Sequence, residues 1–308
     1  MGKKILKYIG NILTMLAIFL IFRRLMQMEI NITELFYGSK SLFLLLSILL
    51  YTINMLLMAW PWRALIEILE KQKIPFLGVQ RVLCKANLMK YIPGNIFQYV
   101  GRNEIATLYN LNHKKIAFST LLDVLTGVLS NVVLILLCYL SDVKLLLKNK
   151  VISLDYRFIF AISVCFSLLF FFVIVRRKYI KNVIWEYVNC VTVKKYFLCI
   201  LWNMFIAVYA AMIYFLILKM IVGEDILWGS AAQIAGAYLL SWLIGFLMPG
   251  APGGIGIRET VMVYLLGGEY GKDSILLSIV IFRFVNILGD FFAFVITALC
   301  QYCRDRRG

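Results

Sequence analysis

At two places in this chain of 308 residues an arginine follows a Pro-Gly pair by the same interval. Pro93-Gly94 leads to Gly101-Arg102 and then Glu104, while Pro249-Gly250-Ala251-Pro252-Gly253-Gly254 leads to Gly256, Arg258 and Glu259. In each case the Arg lies nine residues after the first Pro, and three of the five prolines in the chain fall in these two motifs. Proline removes a backbone donor and breaks a helix, and glycine permits positive φ and close approach of another group. The helix that resumes after Gly256 presents unpaired N–H groups and a positive dipole end, with Arg258 in its first turn. Gly101 and Arg102 occupy the matching place in the first motif. A guanidinium beside such an end suits a phosphate or carboxylate, which it can grip in a bidentate fork. The residues also allow a plainer arrangement, in which Arg258 pairs with Glu259 or a neighbouring helix and Arg102 with Glu104, pinning the loops. The glycines alone would serve equally as close helix-packing surfaces.

Further ionisable residues lie inside apolar runs, among them Asp123, Arg283 and Asp290. Charges at membrane depth face a cavity or pair with one another. Arg283 and Asp290 are seven residues apart, on one helical face yet too distant for direct contact along an ideal helix. A pairing network with Asp123, Arg102 or Arg258 and a proton-carrying role for Asp123 are both compatible with the sequence.

The elements that must hold these residues are membrane helices. Hydrophobic residues make up 62% of the chain and charged residues only 16%, against roughly 45–50% and about 25% in ordinary globular proteins. That composition excludes a secreted disulfide scaffold, a disordered tail and a plain cytosolic enzyme. Six apolar runs, at about 8–22, 41–60, 116–140, 158–175, 196–222 and 275–300, read as spanning helices. Two more regions, about 74–104 and 227–268, are apolar but broken at the Pro-Gly motifs. They read as re-entrant hairpins, because unwound backbone at membrane depth is tolerated only where it is buried in protein or lines a water-filled cavity.

With both termini on the cytoplasmic side, 21 of the 32 Lys and Arg fall in inside segments and 9 in outside segments, a clear positive-inside bias. Each half, 1–140 and 141–308, then has three crossings and one hairpin. An odd number of crossings relates the halves by inversion across the membrane plane, a common construction of secondary transporters. The expected fold is an all-α polytopic membrane protein, with six spanning helices and two re-entrant broken hairpins in two inverted-topology repeats.

The net charge of +16 belongs with an anionic leaflet rather than nucleic acid, since no basic stripe carries interleaved stacking aromatics. Seven cysteines and one histidine, His113, give neither a metal site nor an imidazole-based catalytic set. No Walker lysine motif, HExxH or GxSxG occurs, and no cofactor is expected. The stretch 61–92 reads as an amphipathic, non-spanning segment.

In Tyr91-Ile92-Pro93-Gly94, Gly101-Arg102 and the run Pro249 to Glu259, the chain resembles the flippase-like, or lysylphosphatidylglycerol synthase transmembrane, family. The P-G-G-x-G-x-R-E pattern is matched by Pro252, Gly253, Gly254, Gly256, Arg258 and Glu259. The resemblance implies an inner-membrane protein handling an anionic or polyprenyl-phosphate lipid. In the family's full-length synthases a membrane part moves a modified phospholipid between leaflets, while a separate soluble domain makes it from aminoacyl-tRNA. Only the membrane part is resembled here, so lipid synthesis is not implied. Arg102, Arg258 and the glycines Gly94, Gly101, Gly253, Gly254 and Gly256 are the expected lipid-binding set. Glu104, Glu259, Asp123, Arg283 and Asp290 are the expected supporting charges, and Pro93, Pro249 and Pro252 the helix breakers. A non-transporting partner of an envelope-lipid or surface-polysaccharide enzyme, and a small-anion transporter, are the alternative readings; homo-oligomerisation is left open. An enzyme acting on a lipid phosphate ranks last, because Asp and Glu alone would do its acid–base work.

Overall fold

A computed structural model describes residues 38–91, 97–146, 190–223, 226–248 and 254–306. Ten α-helices occupy the described residues: α1 Ser39–Leu57, α2 Ala59–Glu70, α3 Phe76–Leu88, α4 Phe97–Arg102, α5 Glu104–Leu108, α6 His113–Leu146, α7 Cys190–Val222, α8 Ala231–Leu247, α9 Ile257–Tyr270 and α10 Lys272–Asp305. Single 3-10 turns at Met89–Tyr91 and Trp228–Ser230 follow α3 and precede α8. No strand occurs among the described residues. The expected spans at about 8–22 and 158–175 lie outside them, as do Pro93, Gly94, Pro249, Pro252 and Gly253.

Five helical stretches are long and apolar enough to cross a membrane: Lys40–Glu70, His113–Tyr139, Val193–Val222, Trp228–Leu247 and Lys272–Arg304. Four coincide with spans expected from the sequence. The first runs on to Glu70, through residues expected to form a separate amphipathic segment. Pro61 permits this because it stands in the first turn of α2, where its missing N–H costs little. The helix breaks only locally, at Met58, and the break frees carbonyls that distant residues satisfy. Trp202 Nε1 donates to the Leu57 carbonyl at 3.0 Å and Gln80 Nε2 to the Leu56 carbonyl at 3.1 Å. The Leu57 carbonyl is the one an ordinary residue 61 would have engaged. Trp202→Phe is therefore expected to destabilise the protein by roughly 1–3 kcal/mol, by orphaning a buried acceptor. Adding Pro61→Ala should recover most of the loss in a thermal unfolding series, since residue 61 then supplies the donor.

The fifth stretch, Trp228–Leu247, lies within the region expected to be a re-entrant hairpin. Nothing in Ala231–Leu247 interrupts a helix, so the incoming arm is longer than the motif alone suggested. It ends at Met248, whose extended backbone (φ −75°, ψ 115°) is the conformation forced on a residue preceding proline. Gln233 near the start of α8 bonds Glu269 near the end of α9 at 2.8 Å, so the two helices run antiparallel, their open ends together. Gly271 (φ +82°) then turns the chain directly into α10.

α8 lies along α6, and α3 lies along α10. Both α6 and α10 have 34 residues, about 51 Å at 1.5 Å per residue. One buried cluster joins α6–α10 around Tyr214, Tyr238 and Phe282, and another joins α2, α3, α5 and α6 around Trp62, Leu83, Ile105 and Ile116. Outward faces carry large apolar chains such as Leu42, Leu45, Leu136, Phe197, Met212, Phe291 and Leu299, as lipid-facing helices require.

Candidate functional site

The two broken regions meet on α10. On the first, the Cys84 thiol of α3 lies against Thr297, and one and a half turns further on Lys90 Nζ reaches Asp290 Oδ2 at 2.6 Å. Tyr91 donates its hydroxyl to the same oxygen at 2.5 Å. As α3 advances, its contacts on α10 thus retreat from 297 to 290. The chain then returns through α4 and α5: Glu104 takes both oxygens to Lys85 Nζ at 2.7 and 2.8 Å, and the Tyr109 hydroxyl sits against Gly78. On the second region, Arg283 of α10 ion-pairs with Glu259 through Nε and donates from its terminal nitrogen to the Gly254 carbonyl at 2.9 Å. From there α9 runs back to the start of α10.

One tip therefore approaches from the C-terminal end of α10 and the other from its N-terminal end. The described residues beside the two turns contact α10 seven residues apart, at Asp290 and Arg283, a rise of about 10 Å. Arg283 stands eleven residues into the helix, about 16 Å from its start.

Each expected charge has a definite place. Arg102 is buried and bonds Asp123 Oδ2 of α6 at 2.7 Å, not Glu104; its guanidinium also lies over the rings of Trp62 (5.2 Å) and Tyr99 (6.0 Å). Glu259 caps its own helix, accepting from the Gly256 N–H at 2.8 Å. The N-terminus of α9 is thus already filled by a carboxylate, in the reach-back half of a capping box. Glu259 also serves Arg283, which leaves Arg258 over.

Arg258 forms no ion pair or hydrogen bond among the described residues, and its Nε is buried without a partner. Its chain lies in a notch floored by Gly245 and Gly254. A Cβ on Gly245 would stand 2.6 Å from Arg258 Cγ, and one on Gly254 would stand 3.0 Å from Arg258 Nε. The guanidinium lies over Trp242, 5.9 Å from the ring centroid. A guanidinium is not deprotonated in proteins, so Arg258 is charged at neutral pH, with Arg283 nearby. Gly254 and Gly256 have φ of +70° and +85°, conformations that glycine alone adopts without strain. Gly101 packs against Met89 and Ala86 of the arm it faces.

The long helices repeat one device with its sign reversed. Asp123 stands ten residues into α6 and pairs with Arg102 at the end of α4, and Arg283 stands eleven into α10 and pairs with Glu259 in the first turn of α9. Arg102 and Arg258 are not brought together. Arg102 belongs to the α4–α6 junction, and Arg258 to the meeting point of α8, α9 and α10. Residues the sequence reading did not single out complete the second location: Lys90, Tyr51, Tyr238, Trp242 and Gly245. A lone glycine in an apolar helix and a lysine adjoining the Pro-Gly motif were the available signals.

Burial pushes the Cys84 thiol up to about 12, whereas Cys300 and Cys303 are exposed at the end of α10. Alkylation at pH 8 is expected to modify Cys300 and Cys303 in the folded protein and leave Cys84 untouched until denaturation, as peptide mapping would register. No group of His, Cys, Asp and Glu among the described residues could hold a metal ion. No protein-family model matches the chain, and no curated protein matches it in sequence.

Proposed function

We propose that this membrane protein is a lipid translocase, moving an anionic or phosphate-bearing lipid across the cytoplasmic membrane between two inverted-topology halves. The observation that carries the reading is Arg258. It is a charged guanidinium in the first turn of α9, close to where the other broken region reaches α10 from its opposite end, and it ion-pairs with no carboxylate among the described residues, Glu259 being committed to Arg283 and to the Gly256 N–H. An unbalanced charge at membrane depth is costly, and a passing anion offsets that cost. The sign-reversed ion pairs on α6 and α10, and the packing of α8 on α6 and of α3 on α10, support an inverted repeat. In such proteins one half rocks against the other about a midplane site. Of the two motif arginines, Arg258 is the one free to take an anion in this conformation; Arg102 would become available when its pair with Asp123 opens.

The test is transbilayer movement of fluorescent phosphatidylglycerol in liposomes carrying the purified chain. Movement at least tenfold above protein-free vesicles, lost in Arg258→Gln, is expected. Rates indistinguishable from protein-free vesicles would sink the reading. Entry of soluble phosphate without lipid movement would favour a small-anion transporter.

A further inference from the structure

We infer that the cluster of Arg258, Tyr51 and Tyr238 binds a singly charged phosphodiester head group and discriminates against doubly charged phosphates. This rests on the translocase reading for the ligand being a lipid, and it adds the charge and the donor set that select one.

Tyr51 of α1 and Tyr238 of α8 flank the buried ring of Phe282 edge-on, with centroids at 6.1 and 5.3 Å. Tyr51 is seated against Gly289, where a Cβ would come within 2.6 Å of its ring, beside Asp290. Tyr238 stacks on Tyr214 at 5.4 Å, and the Tyr214 hydroxyl is satisfied by Ser278 at 2.8 Å. The hydroxyls of Tyr51 and Tyr238 have no such partner among the described residues, although the Tyr238 side chain is more than nine-tenths buried. Tyr238, Trp242 and Gly245 share one face of α8, being four and three residues apart, and Arg258 lies along that face. Both tyrosines lie within electrostatic range of Arg258, and Tyr238 also lies within range of Lys90. A guanidinium and two hydroxyls with no hydrogen-bond partner among the described residues are thus gathered where α1, α8 and α9 approach one another. This set can donate to the two non-bridging oxygens of a phosphodiester.

Charge decides which phosphate. The cluster holds Lys90, Arg258 and Arg283 against Glu259 and Asp290, a net charge of +1. A phosphodiester brings it to zero, whereas a phosphomonoester above its second ionisation, or a pyrophosphate, drives it to −1 or beyond. In a site of low dielectric constant, a residual charge of either sign is penalised.

The test measures binding separately from transport. Purified protein in uncharged detergent at pH 8 is titrated with dihexanoyl-phosphatidylglycerol, dihexanoyl-phosphatidic acid and decanoate, by calorimetry. Phosphatidylglycerol is expected to bind at least tenfold more tightly than either of the others. Tyr238→Phe and Tyr51→Phe keep the rings and remove one donor each; each should weaken phosphatidylglycerol binding by about three- to tenfold with melting temperature unchanged. Equal or tighter binding of phosphatidic acid or decanoate, no binding of any probe, or full affinity in the double Phe variant overturns the inference. Selective binding without transbilayer movement leaves the inference standing and removes the translocase reading instead.

Discussion

Asp290→Leu is expected to lower stability by about 3 kcal/mol, because it strands a lysine whose only acidic partner among the described residues is lost. Asp290 is fully buried, its Oδ2 receives both Lys90 Nζ and the Tyr91 hydroxyl, and the Lys90 side chain retains only 21% exposure. Breaking a buried pair by removing one member costs about 3–5 kcal/mol, whereas replacing both by apolar groups is often neutral. The partial exposure of Lys90 puts this site at the lower end. The double variant Lys90→Met/Asp290→Leu should therefore be more stable than Asp290→Leu alone, a reversal that simple loss of packing does not give. Thermal unfolding of the four proteins in one detergent measures it. A single variant that melts like the parent would mean that the first hairpin is held to α10 by its apolar contacts and not by this pair.

That pair marks the limit of what the sequence discloses. Apolar runs specify their own helices, so the spans at 41–60, 116–140, 196–222 and 275–300 were legible from composition and length. The broken regions were legible too, since Pro and Gly act locally: Met248 is extended because residue 249 is proline. The partners of buried charges were not. Lys90 and Asp290 are 200 residues apart, and only the packing of α3 on α10 brings them together. Neighbours in sequence misled in the opposite way. Arg258 and Glu259 are adjacent, but successive residues on a helix point about 100° apart, and Glu259 turns back to cap Gly256. The Gly-x-x-Glu spacing at 256–259 carried that signal, and it is this cap that leaves Arg258 without an acid. The length of α8 was also legible in principle, because nothing between Ala231 and Leu247 breaks a helix; the Pro-Gly cluster drew attention from the run before it.

Gly245→Ala is expected to abolish Arg258-dependent lipid movement while leaving the fold intact. The added methyl would stand 2.6 Å from Arg258 Cγ, near the root of that side chain rather than at its mobile end, so the whole arm must move. The backbone of α8 gains from the change, since alanine is favoured over glycine in a helix interior by about 1 kcal/mol. A stability loss is thus not the expected route to inactivity. Displacing a charged group by about an ångström from its binding geometry can cost on the order of a hundredfold in rate, and transport in liposomes should fall accordingly. The decisive comparison uses Arg258→Gln as background. With the guanidinium gone, adding Gly245→Ala should lower transport no further, since the two changes act through one side chain. If the second substitution instead multiplies the loss, the glycine serves helix approach in its own right and the notch is not what holds Arg258 in place.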